Sequence, residues 1–246
     1  MRNGVLLIRG TLLKHTIKDM KLKYTLLALA AMTGAASAAA ISVNFADTGD
    51  NREIAPATSA GIGNFTNWNN TVGVSGTAGS LIDSDGATTM ASVTWSAPGT
   101  WNDSEAEADA SAGVGNAQLM RGYLDDGNAG AAGADWTVTG IPYTNYTAIL
   151  YLATDTAGGS YREFNVNGTN YSTTGTKQRY GTQPNWDATN SITVTGLSGD
   201  LVVDGLNRDG AIRGSVAGFQ IVEVPEPSST ALLGLGGLAL ILRRRK

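Results

Sequence analysis

From about residue 41 to residue 224, short apolar or alternating runs are cut repeatedly by Gly, Asn, Pro and Ser. No segment there carries a sustained helical period, so short strands joined by turns are the fold this stretch can make. Ile41–Phe45 alternates and predicts the first strand, and Thr89–Ser96 predicts another, closed by Pro98-Gly99. Tyr146–Ala153 is nearly continuous in apolar character, which suits a central strand covered on both faces. Tyr161–Val166 runs through Asn167-Gly168 to Tyr171, a hairpin signal, because both residues tolerate the positive φ of a tight turn. Ser191–Thr195, Leu201–Val203 and Val216–Val224 complete the set. Gln118–Leu124 fits a short helix or a strand equally well. The expectation is an all-β chain, a single β-sandwich of jelly-roll type.

Both flanks depart from this pattern. Lys21 and Lys23 precede the apolar run Tyr24–Met32, which ends in the small-residue series Ala36-Ser37-Ala38. These are the three parts of a secretory signal peptide, with signal peptidase cutting after Ala38, or after Ala40 as the alternative. The apolar run is about half of the ~20 residues a spanning helix needs. Met20 stands directly before the positive region, so residues 1–19 fit a translation start placed too early.

At the other flank, Pro225-Glu226-Pro227 breaks the last predicted strand, because proline has no N–H for the ladder and forces its predecessor extended. An apolar run, Ala231–Leu242, follows, and then Arg243, Arg244, Arg245 and Lys246. As a helix, residues 228–242 would reach roughly 22 Å at ~1.5 Å per residue, a short span against a ~30 Å hydrocarbon core. The basic cluster would hold the terminus on the cytoplasmic side. The expected division is therefore leader and signal at 1–38, sandwich at 39–224 and tail at 225–246.

Composition limits the chemistry. Of the 17 Lys and Arg, seven fall between the two flanks, against nineteen of the 21 acids, a net charge of −12. Such a surface repels phosphate backbones, so no nucleic-acid partner is expected. The chain has no cysteine, and its one histidine, His15, lies in the leader. Ser-His-Asp and Cys-His catalysis and ordinary zinc or iron sites are thereby excluded from the sandwich.

Carboxylates remain. Asp103, Glu105, Glu107 and Asp109 alternate, and Asp47, Asp50 and Glu53 cluster near the first strand. Either group supplies oxygens for Ca2+, and either also reads as a solvated acidic loop. Asp83-Ser84-Asp85-Gly86 opens like a calcium loop but lacks the downstream Glu. Asp125-Asp126-Gly127-Asn128 reads as a turn. Paired carboxylates also serve glycoside hydrolysis, yet nothing in the sequence selects a pair, so no enzyme is expected and no catalytic residue is named. Trp95, in an alternating strand, is expected in the core. Trp101 and Trp186 are placed in loops, where flat aromatics can stack on sugar rings or cap a core with the polar atom wet.

The tail of Pro225-Glu226-Pro227, apolar run and Arg cluster resembles the PEP-CTERM sorting signal of Gram-negative bacteria. That resemblance implies recognition and cutting by exosortase, a membrane protease, after transient anchoring in the inner membrane. It implies delivery to the cell surface or an extracellular polysaccharide matrix, as in a biofilm. The order of Ile41–Phe45, Asn67–Asn70, Leu119–Asp125 and Val216–Val222 is similar to uncharacterised PEP-CTERM surface proteins. Gly218–Val222 is also similar to the last strand of galactose-binding-like jelly rolls. The implied role is an exported, non-catalytic surface or matrix protein, with a carbohydrate-binding module and a carboxylate-based glycosidase or lyase as the alternatives.

Overall fold

The computed structural model describes residues 38–46, 53–102, 114–127, 133–152, 161–173, 190–206, 212–213 and 215–226. Among the described residues, fourteen strands and one short helix lie along Ala38–Val224. The strands are β1 (Ala40–Phe45), β2 (Asn69–Thr71), β3 (Ser75–Ala78), β4 (Ser92–Ser96), β5 (Gly99–Asn102), β6 (Gly122–Asp125) and β7 (Asp135–Thr139). After them come β8 (Tyr146–Tyr151), β9 (Tyr161–Val166), β10 (Thr169–Ser172), β11 (Ser191–Leu197), β12 (Leu201–Leu206), β13 (Ile212–Arg213) and β14 (Gly218–Glu223). The helix, α1 (Val114–Leu119), precedes β6.

Two sheets form a sandwich. One runs β11-β8-β14-β1-β2, antiparallel except for the parallel β1–β2 edge. The other runs β10-β9-β12-β7-β4-β3, antiparallel throughout, with β13 added parallel to β9. Alternate residues of facing strands interdigitate between them: Ile41, Val43 and Phe45 from β1, Phe219 and Ile221 from β14, Trp95 from β4, and Trp136 and Val138 from β7. Trp136 stacks on Phe219 at 5.7 Å and 16°, and meets the edges of Phe45 and Phe164 at 5.8 and 6.0 Å.

The first sheet is covered on its outer face too. A second cluster, including Ile54, Ala60, Trp68, Leu119, Tyr123 and Tyr151, packs there. This explains the unbroken burial of β1 and the near-continuous apolar run of β8. It also buries polar residues that alternation alone would put in water. Ser42, Asn44 and Gln220 are fully buried. Gln220 Nε2 donates to Ser42 Oγ at 2.9 Å, and Asn44 Nδ2 donates to Asn70 Oδ1 at 2.9 Å. Tyr151 donates its hydroxyl proton to Gln220 Oε1 and accepts the N–H of Ile62 at 2.7 Å. Paired in this way, Gln220, Ser42, the Tyr151 hydroxyl and the Asn44 side-chain N–H avoid the penalty of unmet hydrogen bonds.

Gln118–Leu124 proves to be both of the forms it allowed. The helix ends at Leu119, and β6 begins at Gly122. The Asn167-Gly168 hairpin forms as expected, with φ of 47° and 86° at its two turn residues.

Candidate functional site

The last described strand delivers the chain to Pro225. β14 lies between β8 and β1, with Glu223 opposite Tyr146 and Val222 opposite Ala40. Just past that register, Glu223 N–H donates to Ala39 O at 2.8 Å, and Val224 N–H donates to Asn145 O at 2.9 Å. Val224, Pro225 and Glu226 are exposed. The ladder stops where proline can no longer donate to it. Beside this corner sits buried Tyr143, whose phenol is pushed well above its ordinary range, first by burial and then by the charges of Asp83, Glu223 and Asp85.

Residues 223–246 match the PEP-CTERM protein-sorting motif. The chain is thus an exported protein with a PEP-CTERM tail, held transiently in a membrane and processed by an exosortase-type protease. The match begins on the final residue of β14, so the PEP-CTERM tail starts where the sandwich ends. Among curated proteins, none matches the chain significantly. Pro225 and Glu226 are described, whereas Pro227, Arg243, Arg244, Arg245 and the apolar run between them lie outside the described residues. Among the described residues, no helix is long and apolar enough to cross a membrane. At the opposite flank, Ala38 is half-buried, and Ala36 and the preceding apolar run lie outside the described residues.

The tryptophans separate by exposure. Trp68, Trp95 and Trp136 are 5%, 7% and 2% exposed, whereas Trp101 is 49% exposed. Trp95 is a core residue, as its strand pattern predicts, and donates its indole N–H to Gly73 O at 3.0 Å. Trp101 lies not in a loop but in β5, opposite fully buried Tyr123 of β6. Its ring is the large aromatic surface that the described part of the domain offers to solvent. Trp186 lies outside the described residues.

Of the candidate calcium ligands, Asp47, Asp50, Asp103 and Glu105 lie outside the described residues, as do Glu107 and Asp109. Asp83 uses Oδ1 to accept the N–H groups of Asp85 and Ala87 at 3.0 and 2.9 Å, which closes a turn around Gly86. Asp125 closes its own turn by accepting Gly127 N–H at 3.1 Å. Its neighbour Asp126 is fully buried and accepts a hydrogen bond from the Ser215 hydroxyl at 2.8 Å, a contact that no local pattern announces.

One carboxylate neighbourhood was invisible in the sequence. Asp135 of β7 shares an electrostatic environment with Asp204 of β12, on the face turned away from the core. Burial raises the Asp135 carboxyl, the Gly205 N–H bonded to it at 3.1 Å works against that, and Asp204 raises it further. Raised in the fold, this acid favours the native state most at low pH, and that benefit is lost as pH climbs through its folded value.

Proposed function

We propose that this chain is a non-catalytic surface or matrix protein, associated with extracellular polysaccharide after its PEP-CTERM tail has been cut. The observation that carries the reading is the coincidence of the motif's start with the end of β14. A cut beyond β14 leaves every described strand in place, so the processed product keeps both sheets and can serve outside the cell as a finished domain. The test is production of the full chain in a PEP-CTERM-sorting bacterium with and without its exosortase. With the enzyme, the product should lose the mass of the tail and leave the membrane fraction. A Pro225→Ala, Glu226→Ala, Pro227→Ala triple variant should stay intact and membrane-bound, with release falling at least tenfold. Equal release of wild type in both hosts would end the exosortase reading.

A second reading, carbohydrate binding, is favoured by the exposure of Trp101. An indole half open to solvent beside polar strand ends can stack on a sugar face. Trp101→Ala should weaken affinity for a polysaccharide that the exported protein binds by about tenfold, given that ~1.4 kcal/mol is tenfold and an aromatic contact contributes about that much. Its thermal stability should hardly change. Undiminished glycan binding by this variant would remove Trp101 from the site.

A further inference from the structure

We propose that the leader is cut after Ala38 and that the α-ammonium created at Ala39 pairs with the Glu223 carboxylate, clipping the first strand to the stem of the sorting tail. The inference rests on reading residues 21–38 as a secretory signal.

Residues 39 and 223 are already joined twice. Glu223 N–H donates to Ala39 O at 2.8 Å, and Ala39 N–H donates to Glu223 Oε2 at 3.4 Å. Within an intact chain, Ala39 N is an amide with one neutral proton to offer. Hydrolysis of the Ala38–Ala39 bond adds water across it. The acyl carbon of Ala38 takes the oxygen and leaves as a carboxylate, and the nitrogen of Ala39 keeps the protons as an ammonium. The atom that faced Glu223 then carries a positive charge and three donors, and charge-assisted hydrogen bonds are roughly twice as strong as neutral ones. The surroundings suit a cation. Asp83 bridges to Ile41, and Asp83, Asp85 and Glu223 all act on the buried phenol of Tyr143.

The alternative cut, after Ala40, fits the fold badly. Ala40 is fully buried, donates its N–H to Ser84 Oγ at 3.1 Å and accepts Ser84 N–H at 2.7 Å. Removing it would also move the new charge onto Ile41, which is fully buried. Burying an ammonium without a partner is costly. The topology keeps the favoured bond open to the peptidase for long enough. β1 gains its antiparallel partner only when β14, the last described strand, has emerged.

The experiment uses the full chain exported by a bacterium with signal peptidase, purified in detergent. Mass spectrometry of its N-terminal peptide should give Ala39 as the first residue. Melting is then followed at pH 6 and pH 10 for the wild type, for Glu223→Gln, and for a chain with Gly-Ser inserted between Ala38 and Ala39, which moves the amine away. An α-amine titrates near 7.7–8.0 when free. Raised by Glu223, it stabilises the fold fully below that range, and the benefit fades as pH rises through its folded value. Both altered chains should melt about 2–4 °C below wild type at pH 6 and approach it at pH 10. A first residue of Ile41, or an equal deficit at both pH values, overturns the pairing while leaving export intact. A leader that is never removed overturns the signal reading and the pairing together.

Discussion

Trp136→Ala is expected to cost about 3–5 kcal/mol, the range for emptying a large aromatic site in a core. Trp136 is 2% exposed and its ring is boxed by Phe45, Phe164 and Phe219. These come from β1, β9 and β14, so the indole joins both sheets. For a domain of this size the loss should lower the melting temperature by roughly 10 °C or more, followed by circular dichroism. Trp136→Phe should cost much less. The indole N–H has no hydrogen-bond partner among the described residues, so phenylalanine removes a buried donor along with some volume. A drop of under 3 °C in the alanine variant would show that the sheets are held together elsewhere.

The second large effect is expected at Gly218. A Cβ there would lie 2.4 Å from Val43 O and 3.0 Å from Leu119 Cδ1. The nearer obstacle is the backbone of the neighbouring strand, which cannot step aside without opening the β1–β14 ladder. Gly218→Ala should therefore cost about 3 kcal/mol or more, at or beyond the upper end of ordinary overpacking, and soluble yield should fall sharply. Gly79→Ala is the matched control. Its added methyl would meet only Ser92 Oγ at 3.8 Å, an ordinary contact, so its melting temperature should stay within about 2 °C of wild type. Equal behaviour of the two variants would show that the close approach at Gly218 is not needed.

What could be read in advance follows from where the information lies along the chain. The PEP-CTERM tail is contiguous, so proline break, apolar run and basic cluster stand together in plain order. The β9–β10 hairpin was equally legible, because Asn167-Gly168 encodes its own turn. β7 was not. Asp135-Trp136-Thr137-Val138-Thr139 alternates cleanly, but it follows a Gly/Ala-rich stretch that reads as loop, and five residues weigh little against that. β2, β3 and β5 are three or four residues long and hold their places by pairing with β1, β4 and β6, none of them joined to its partner by a tight turn. β4 begins three residues later than expected, because Thr89 and Ala91 bond back to the turn around Leu81 instead of joining the ladder. The burial of Ser42, Asn44 and Gln220 was hidden for the same reason. Alternation tells which residues share a face, not whether a second layer covers it. For Trp101, the residue type marked a candidate, and exposure to solvent became known only once β5 was seen beside β6.

The antiparallel pairing of β1 with β14 has a mechanical side. The first strand's entry and the last strand's exit lie at the same corner, so any pull between the two ends loads their hydrogen bonds one pair after another, as in a zipper. A domain tethered to a membrane by both leader and tail would carry that load on the β1–β14 ladder. Cutting either tether removes that load, and the remaining one merely suspends the sandwich from its corner.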